Sequence, residues 1–345
     1  MHVLADDPDR DWTTPGVYAV APGVYRIPLP LPSDALRAVN VYAVLDGDDL
    51  VLIDSGWALD AAREALSAGL AGIDRGLGDV RRFLVTHLHR DHYTQAVVLR
   101  REFGMEVALG KGEQPSLDIA TALTEPHVPA FLVRLRAAGA HDLLDRLTAG
   151  PRPPRELELW GQPDEWLSDR ATATVGTREL TAVATPGHTR GHLVYVEPSA
   201  ELFFAGDHVL PHITPSIGFE AAPADFPLRD YLDSLQLVRA MPDARLLPAH
   251  GPVTTSVHER VDELLAHHDR RLSETEVLVQ AGAVTAFDAA SRMTWTRRKR
   301  TLSELGDPFN EMLAVLETMS HLDVLVLQGR LRSTDVDGSR HYQVA

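Results

Sequence analysis

The chain has 345 residues, of which 44% are hydrophobic and 24% charged, with a formal net charge of −16 and no cysteine. That length supports a large core and about two domains, and the acidic balance argues against a general nucleic-acid-binding surface. Without cysteine there are no disulfides, thiolate ligands or cysteine nucleophiles, so any metal must be held by His, Asp or Glu. No apolar run approaches the roughly 18 residues a membrane-spanning helix requires. The acidic leader over residues 1–16 lacks an apolar signal region, so a cytoplasmic location is expected.

In chain order, Gly23–Ile27, Val39–Leu45 and Leu50–Ile53 read as strands, β-branched and aromatic-rich, with Asp46–Asp49 as a turn. Asp60–Leu70 has helical apolar spacing, and Phe83-Leu84-Val85 is a short buried strand. A helix over about Gln95–Phe103 and a strand at Glu106–Leu109 complete a β-α-β unit. Residues 113–168 differ: Pro115–Leu123, Val128–Ala138 and His141–Leu147 look helical, until Pro151–Pro154 stops them. This insertion reads either as a lid or substrate wall or as a packing decoration, and its His127 and His141 as surface residues. Strand patterns resume at Val175–Val183, Leu193–Val196 and Glu201–Ala205, then a helix at Leu228–Ala240 leads to the strand Arg245–Leu247. From Val257 the spacing is helical over Glu259–Leu272, Ser273–Ala281, Ala286–Met293 and Phe309–Leu322. A segment Val324–Leu331 and a turn at Asp335–Gly338 then lead to Ser339–Val344. Three helices and a two-stranded wing resemble a winged-helix domain over 256–345. Its Arg297-Arg298-Lys299-Arg300 reads more readily as a solvated face than as a phosphate contact. The tail is expected to pack on the rest of the chain or on a second subunit.

The chemistry is concentrated in Thr86-His87-Leu88-His89-Arg90-Asp91-His92, directly after the Phe83–Val85 strand. In extended backbone His87 and His89 leave on one side, and Asp91 and His92, after a turn, can address a second position. Neutral imidazole with carboxylate suits zinc, and iron or manganese also fit. Two metals need more donors than this loop supplies. Thr185-Pro186-Gly187-His188, Ala205-Gly206-Asp207 and Pro248-Ala249-His250-Gly251 each end an apolar strand with a Gly-flanked donor.

The order H-x-H-x-D-H, His, Asp, His, preceded by Ile53-Asp54-Ser55-Gly56, resembles the metallo-β-lactamase superfamily over residues 17–255. The resemblance extends to its glyoxalase II-like members and, through the tail, to those like β-lactamase-like protein 2. It implies an α/β fold, the αββα sandwich, with the 113–168 helical insertion and a winged-helix-like C-terminal domain. It implies a first metal on His87, His89 and His188 and a second on Asp91, His92 and His250. Asp207 would bridge them, and Asp54 would orient ligands from behind. The implied enzyme is a dinuclear zinc hydrolase using a metal-bridging hydroxide, with Asp91 and Asp207 as catalytic residues. Its leading substrate class is a small thioester, ester or lactone. A metal-dependent ribonuclease or phosphodiesterase, and a non-catalytic metal-binding sensor, are the alternatives; a homodimer is a further reading for the tail. His192, His208 and His212 adjoin the set and read as neighbours of the ligands. One departure stands out: Tyr93-Thr94-Gln95 occupies positions where the family usually has glycine, so a differently angled helix entry is expected. The substrate-binding residues are not legible.

Overall fold

The computed structural model describes residues 2–32, 36–123, 128–151, 154–296 and 298–345. The first sheet runs, in both chain and spatial order, β1 (Leu4–Ala5), β2 (Tyr18–Ala21), β3 (Val24–Pro30), β4 (Ala38–Asp46), β5 (Asp49–Ile53), β6 (Val80–Leu84), β7 (Glu106–Gly110) and β8 (Glu165–Leu167). Strands β2 to β5 pair antiparallel, and β5 to β8 pair parallel. The second sheet comprises β9 (Thr172–Val175), β10 (Arg178–Ala184), β11 (Leu193–Glu197), β12 (Leu202–Gly206) and β13 (Arg245–Pro248), with only β12 and β13 parallel. The hairpin β14 (Leu331–Val336) and β15 (Ser339–Val344) stands apart. The helices are α1 (Asp60–Ala71), α2 (Arg90–Phe103), α3 (Gln114–Thr121), α4 (Ala130–Ala137), α5 (His141–Thr148), α6 (Pro227–Ala240), α7 (Val257–Gln280), α8 (Ala286–Arg292) and α9 (Pro308–Leu327).

Alternation along the strands builds the layers, because successive side chains leave opposite faces of a sheet. Val39, Val41, Leu50 and Leu52 pack outward on Leu66 and Leu70 of α1 and on Val97 and Leu99 of α2. Tyr42, Val44, Val51 and Ile53 point the other way and meet Leu180, Ala182, Tyr195, Phe204 and Leu247 between the sheets. Val183, Val194, Phe203 and Leu246 leave the far face of the second sheet and share one core with α6, α7 and α9. The order is helices, sheet, sheet, helices. That outer core also takes in Leu135 and Leu143 of the insertion and Leu331 and Tyr342 of the hairpin, so the tail is packed directly on the sandwich.

Several elements differ from the sequence reading. The single strand expected over Val175–Val183 is a hairpin, β9 and β10, turning at Gly176 with φ +57°. Helix α2 begins at Arg90, five residues earlier than the spacing suggests, because His87 and His89 end the extended run and the helix starts at once. Residues 257–280 form one helix where two were expected, since nothing at Leu272-Ser273 breaks the hydrogen-bond ladder. Val324–Leu327 is the last turn of α9, not part of a wing strand. Its apolar run is explained by a helix buried on nearly every side, among other elements rather than at a surface. His127 and Arg297 lie outside the described residues. Arg298 to Arg300 sit in the turn between α8 and α9, closed by a bridge between Trp295 and Arg300.

Because α9 shares its core with the second sheet, the tail and the sandwich are expected to unfold together. Leu322→Ala, at a fully buried position in that core, should cost about 2–5 kcal/mol. Denaturation followed in the far and near ultraviolet should give one coincident transition. Separate transitions would show that the tail is an independent unit.

Candidate metal centre

The donors come from the carboxyl ends of strands on both sheets, gathered at one rim. Strand β6 runs into His87 and His89, and α2 begins immediately, placing Asp91 and His92 on its first turn, where a carboxylate is favoured by the helix dipole. His188, Asp207 and His250 follow β10, β12 and β13. The sheets are tied together at this rim: Leu193 N–H donates to Thr86 O at 2.8 Å and Asn40 N–H to Ala249 O at 2.7 Å. Buried Asn40 on β4 donates to the carbonyls of Pro248 (3.0 Å) and Gly251 (2.9 Å), fixing the turn that carries His250.

Two groups of donor atoms result, each within 4.8 Å: His87, His89, His188 and Asp207 in one, Asp91, His92 and His250 in the other. His188 Nε2 lies 3.2 Å from His87 Nε2 and 3.0 Å from His89 Nδ1. Asp207 faces both groups. Its Oδ2 is 3.4 Å from His188 Nε2, while its Oδ1 is 3.3 Å from His250 Nε2 and 3.6 Å from His92 Nε2. Asp91 Oδ2 is 3.3 Å from His250 Nε2 and 3.6 Å from His92 Nε2.

Each of these five imidazoles has its other nitrogen fixed. His89 Nε2 donates to Phe219 O (2.9 Å), His188 Nδ1 to Ser216 O (2.6 Å) and His250 Nδ1 to Ala38 O (2.8 Å). A carbonyl only accepts, so each bond sets the tautomer and leaves a lone pair on the nitrogen that faces the cluster. Asp54, held at φ +61° at the end of β5, is the hub. It accepts His92 Nδ1 at 2.9 Å, Thr86 N–H at 2.8 Å and Thr86 Oγ1, which in turn meets His87 Nδ1 at 3.0 Å. The inward atoms His92 Nε2, His250 Nε2 and Asp207 Oδ1 are buried with no hydrogen-bond partner among the described residues. Orphaned inward lone pairs beside fixed outward nitrogens fit a bound cation.

The neighbouring histidines stand outside this set. His192 Nδ1 pairs with Thr185 Oγ1 at 2.9 Å and its Nε2 accepts Asp207 N–H at 3.1 Å, so neither nitrogen is available. His208 is fully buried, edge-on to the Tyr231 ring and away from any open side. His212 is exposed on the following loop, and His141 pairs with Ser339 of the hairpin at 3.2 Å. The Tyr93 departure has a local cause. Tyr93 is buried, with its hydroxyl donating to Gly161 O of the insertion, and Thr94 Oγ1 accepts Ala58 N–H at 3.0 Å. Bulk at the helix entry thus anchors α2 to its surroundings.

Residues 34–250 match the Metallo-beta-lactamase superfamily. The chain belongs to that superfamily. A probable metallo-hydrolase of Bacillus subtilis, YqjP, is 25% identical over 93% of this chain and 95% of its own length. An atrochrysone carboxyl ACP thioesterase of Aspergillus fumigatus is 25% identical over 70% of this chain and 44% of its own. The crystal structure of a metallo-beta-lactamase family protein from Thermus thermophilus superposes with a TM-score of 0.75 at 26% identity, covering 95% of this chain and all of the other. The protein is therefore a metallo-beta-lactamase-superfamily hydrolase, with a His/Asp cluster able to bind metal ions.

The two donor groups differ in proton affinity. Burial, reinforced by the imidazoles crowded around it, drives His87 well below the usual histidine range, and His188 falls to about 3. Burial opposes charge on His92 too, but Asp91, Asp54 and Asp207 outweigh it and hold the imidazole up to about 10; His250 is raised in the same way by Asp207 and Asp91. At neutral pH the second group therefore holds protons that a cation must displace, and the first does not. Zinc uptake at pH 7 should release at least one proton. On acidification the cation at Asp91, His92 and His250 should leave before the one at His87, His89 and His188. Calorimetry in buffers of different ionisation enthalpy, with metal content followed from pH 8 to pH 5, checks both; uptake without proton release would contradict the assignment.

Proposed function

We propose that this chain is a dinuclear hydrolase, with zinc as the first candidate metal, acting on a small thioester, ester or lactone. One observation carries the reading: the two oxygens of Asp207 address two separate groups of inward-facing donors. His87, His89, His188 and Asp207 would hold one cation and Asp91, His92 and His250 the other, with Asp207 shared. Divalent cations there supply a nucleophile from water at neutral pH and polarise the scissile carbonyl.

The remaining work falls to the chain's own side chains. Asp91 is the most open of the carboxylates in the site, 17% exposed against 8% for Asp207 and 3% for Asp54. It is thus the one placed to orient the attacking water and take its proton. Asp54 keeps His92 and, through Thr86, His87 in register throughout. The loop whose carbonyls hold His188 and His89 also carries Phe219. That ring packs between Phe131 of the insertion (5.9 Å) and Phe309 of the tail (5.4 Å). A cavity of about 120 Å³ on the same loop is lined by both apolar residues, such as Ile217 and Leu313, and polar ones, Thr214, Ser216 and Glu317. The similarity to a thioesterase supports an acyl substrate.

The test is a panel of acyl thioesters, esters, lactones and single-stranded RNA offered to zinc-loaded protein. One acyl class should be hydrolysed and RNA left intact, and Asp91→Ala should cost about 10²–10⁴-fold in kcat. RNA cleavage instead would favour the nuclease reading. Full metal occupancy without turnover of any substrate would favour a sensor.

A further inference from the structure

We propose that Glu113 is a positioning residue that fastens the loop bearing His188. The proposal rests on the metal-centre reading above and assigns a role to a residue that the donor pattern does not include. Glu113 ends the short turn Lys111–Glu113 after β7, at the start of the insertion, and is fully buried. Thr189, next to His188, donates its hydroxyl to Glu113 Oε1. A side chain from a separate segment thus meets the ligand-bearing loop one residue away from His188.

The backbone around this contact leaves no freedom for a substitute route. A Cβ on Gly191 would lie 2.1 Å from Glu113 N, and one on Gly110 would lie 2.2 Å from Gly191 O. The turn and the His188 loop are therefore in direct backbone contact, which only glycine permits. Outside it, Glu220 accepts Ser116 Oγ at 2.9 Å and Arg190 N–H at 2.7 Å, bracing the same loop from its other end. Burial, with Glu220 nearby, pushes the Glu113 carboxyl up to about 8, so near neutral pH it is held mainly as the neutral acid. Its Oε2 is buried without a partner among the described residues. A buried acid is costly compared with an apolar residue of the same volume. Filling space does not require it, whereas accepting from the residue beside a ligand does.

Because the acid is held neutral, Gln preserves both its shape and its acceptor, while Leu preserves only the volume. Wild-type protein, E113Q and E113L, each loaded with zinc or with cobalt(II), would be compared by metal content, rate of release to a chelator, the cobalt absorption spectrum and thermal midpoint. E113Q should match wild type. Folded E113L should release one of its two cations about 10–100-fold faster and show an altered cobalt spectrum. If E113L fails to fold, T189V, which removes only the hydroxyl, should show the same selective loss. Folded E113L or T189V with wild-type metal content, release rate and spectrum, even with a lowered midpoint, would make Glu113 merely structural and overturn the proposal. So would E113Q behaving like E113L. A wild-type protein that holds no cation would fail earlier, at the metal-centre reading itself, and would take this inference with it.

Discussion

The structure depends on the burial of five imidazoles and two carboxylates whose donor atoms lie 3.0 to 3.6 Å apart. Such crowding is unfavourable by itself, since desolvated imidazoles and carboxylates press on one another across the site. It is tolerated because the outward nitrogen of each imidazole is locked to a partner on rigid backbone: Ala38 on β4, Ser216 and Phe219 on the loop after β12, Thr86 after β6, and Asp54 after β5. Only the inward atoms are left without partners. Most of the specificity of the site therefore resides in what stands behind the ligands, and much of that is main chain.

The layered fold follows from the same requirement. Donors must arrive from both sheets at one rim, so the sheets must be held in register there, and the bonds from Leu193 to Thr86 and from Asn40 to Ala249 do this directly. The second sheet has its far face covered by α6, α7 and α9, and α9 is apolar nearly all round because the insertion, α8 and the hairpin close over it. Insertion and tail meet at Phe131, Phe219 and Phe309. Arg146 of α5 also forms a bidentate pair with Glu311 of α9, at 2.9 and 2.6 Å. The two segments that look most like appendages in the sequence thus jointly support the loop that steadies His89 and His188.

What can be read from the chain is governed by periodicity and by chemical type. H-x-H-x-D-H and the three strand-end donors are local patterns, and the structure gathers all seven side chains within reach of one another. Asp54 is recognisable from its place after a strand, although its positive φ and its bonds to Thr86 and His92 are not. The carbonyls of Ala38, Ser216 and Phe219 carry no side-chain signature, so no sequence signal could have marked them. Glu113 could have been marked only by its glycines: Gly110, Gly112 and Gly191 hint at close backbone approach, but the approach joins segments nearly 80 residues apart. Short-range ambiguity explains the remaining differences. An apolar run such as Val324–Leu327 suits a buried helix as well as a strand, and period alone does not separate them.

The asymmetry between the donor groups gives the site a direction. Around His87, His89 and His188 the imidazoles outnumber the carboxylates and are driven toward the neutral form, so a cation meets bare lone pairs. Around His92 and His250, three carboxylates favour positive charge, which a proton or a metal ion can supply. Asp207 belongs to both environments, one oxygen in each, so whatever charge occupies the second group is felt by the first through a single side chain. Asp91, lying on the solvent side of the second group and held ionised against burial by His92 and His250, is where that charge is exposed to a substrate. On the dinuclear reading, such a site would keep one cation tightly while the occupancy of the other responded to pH. That division follows from where three carboxylates stand: Asp91 on the first turn of α2, Asp54 behind His92, and Asp207 between the two groups.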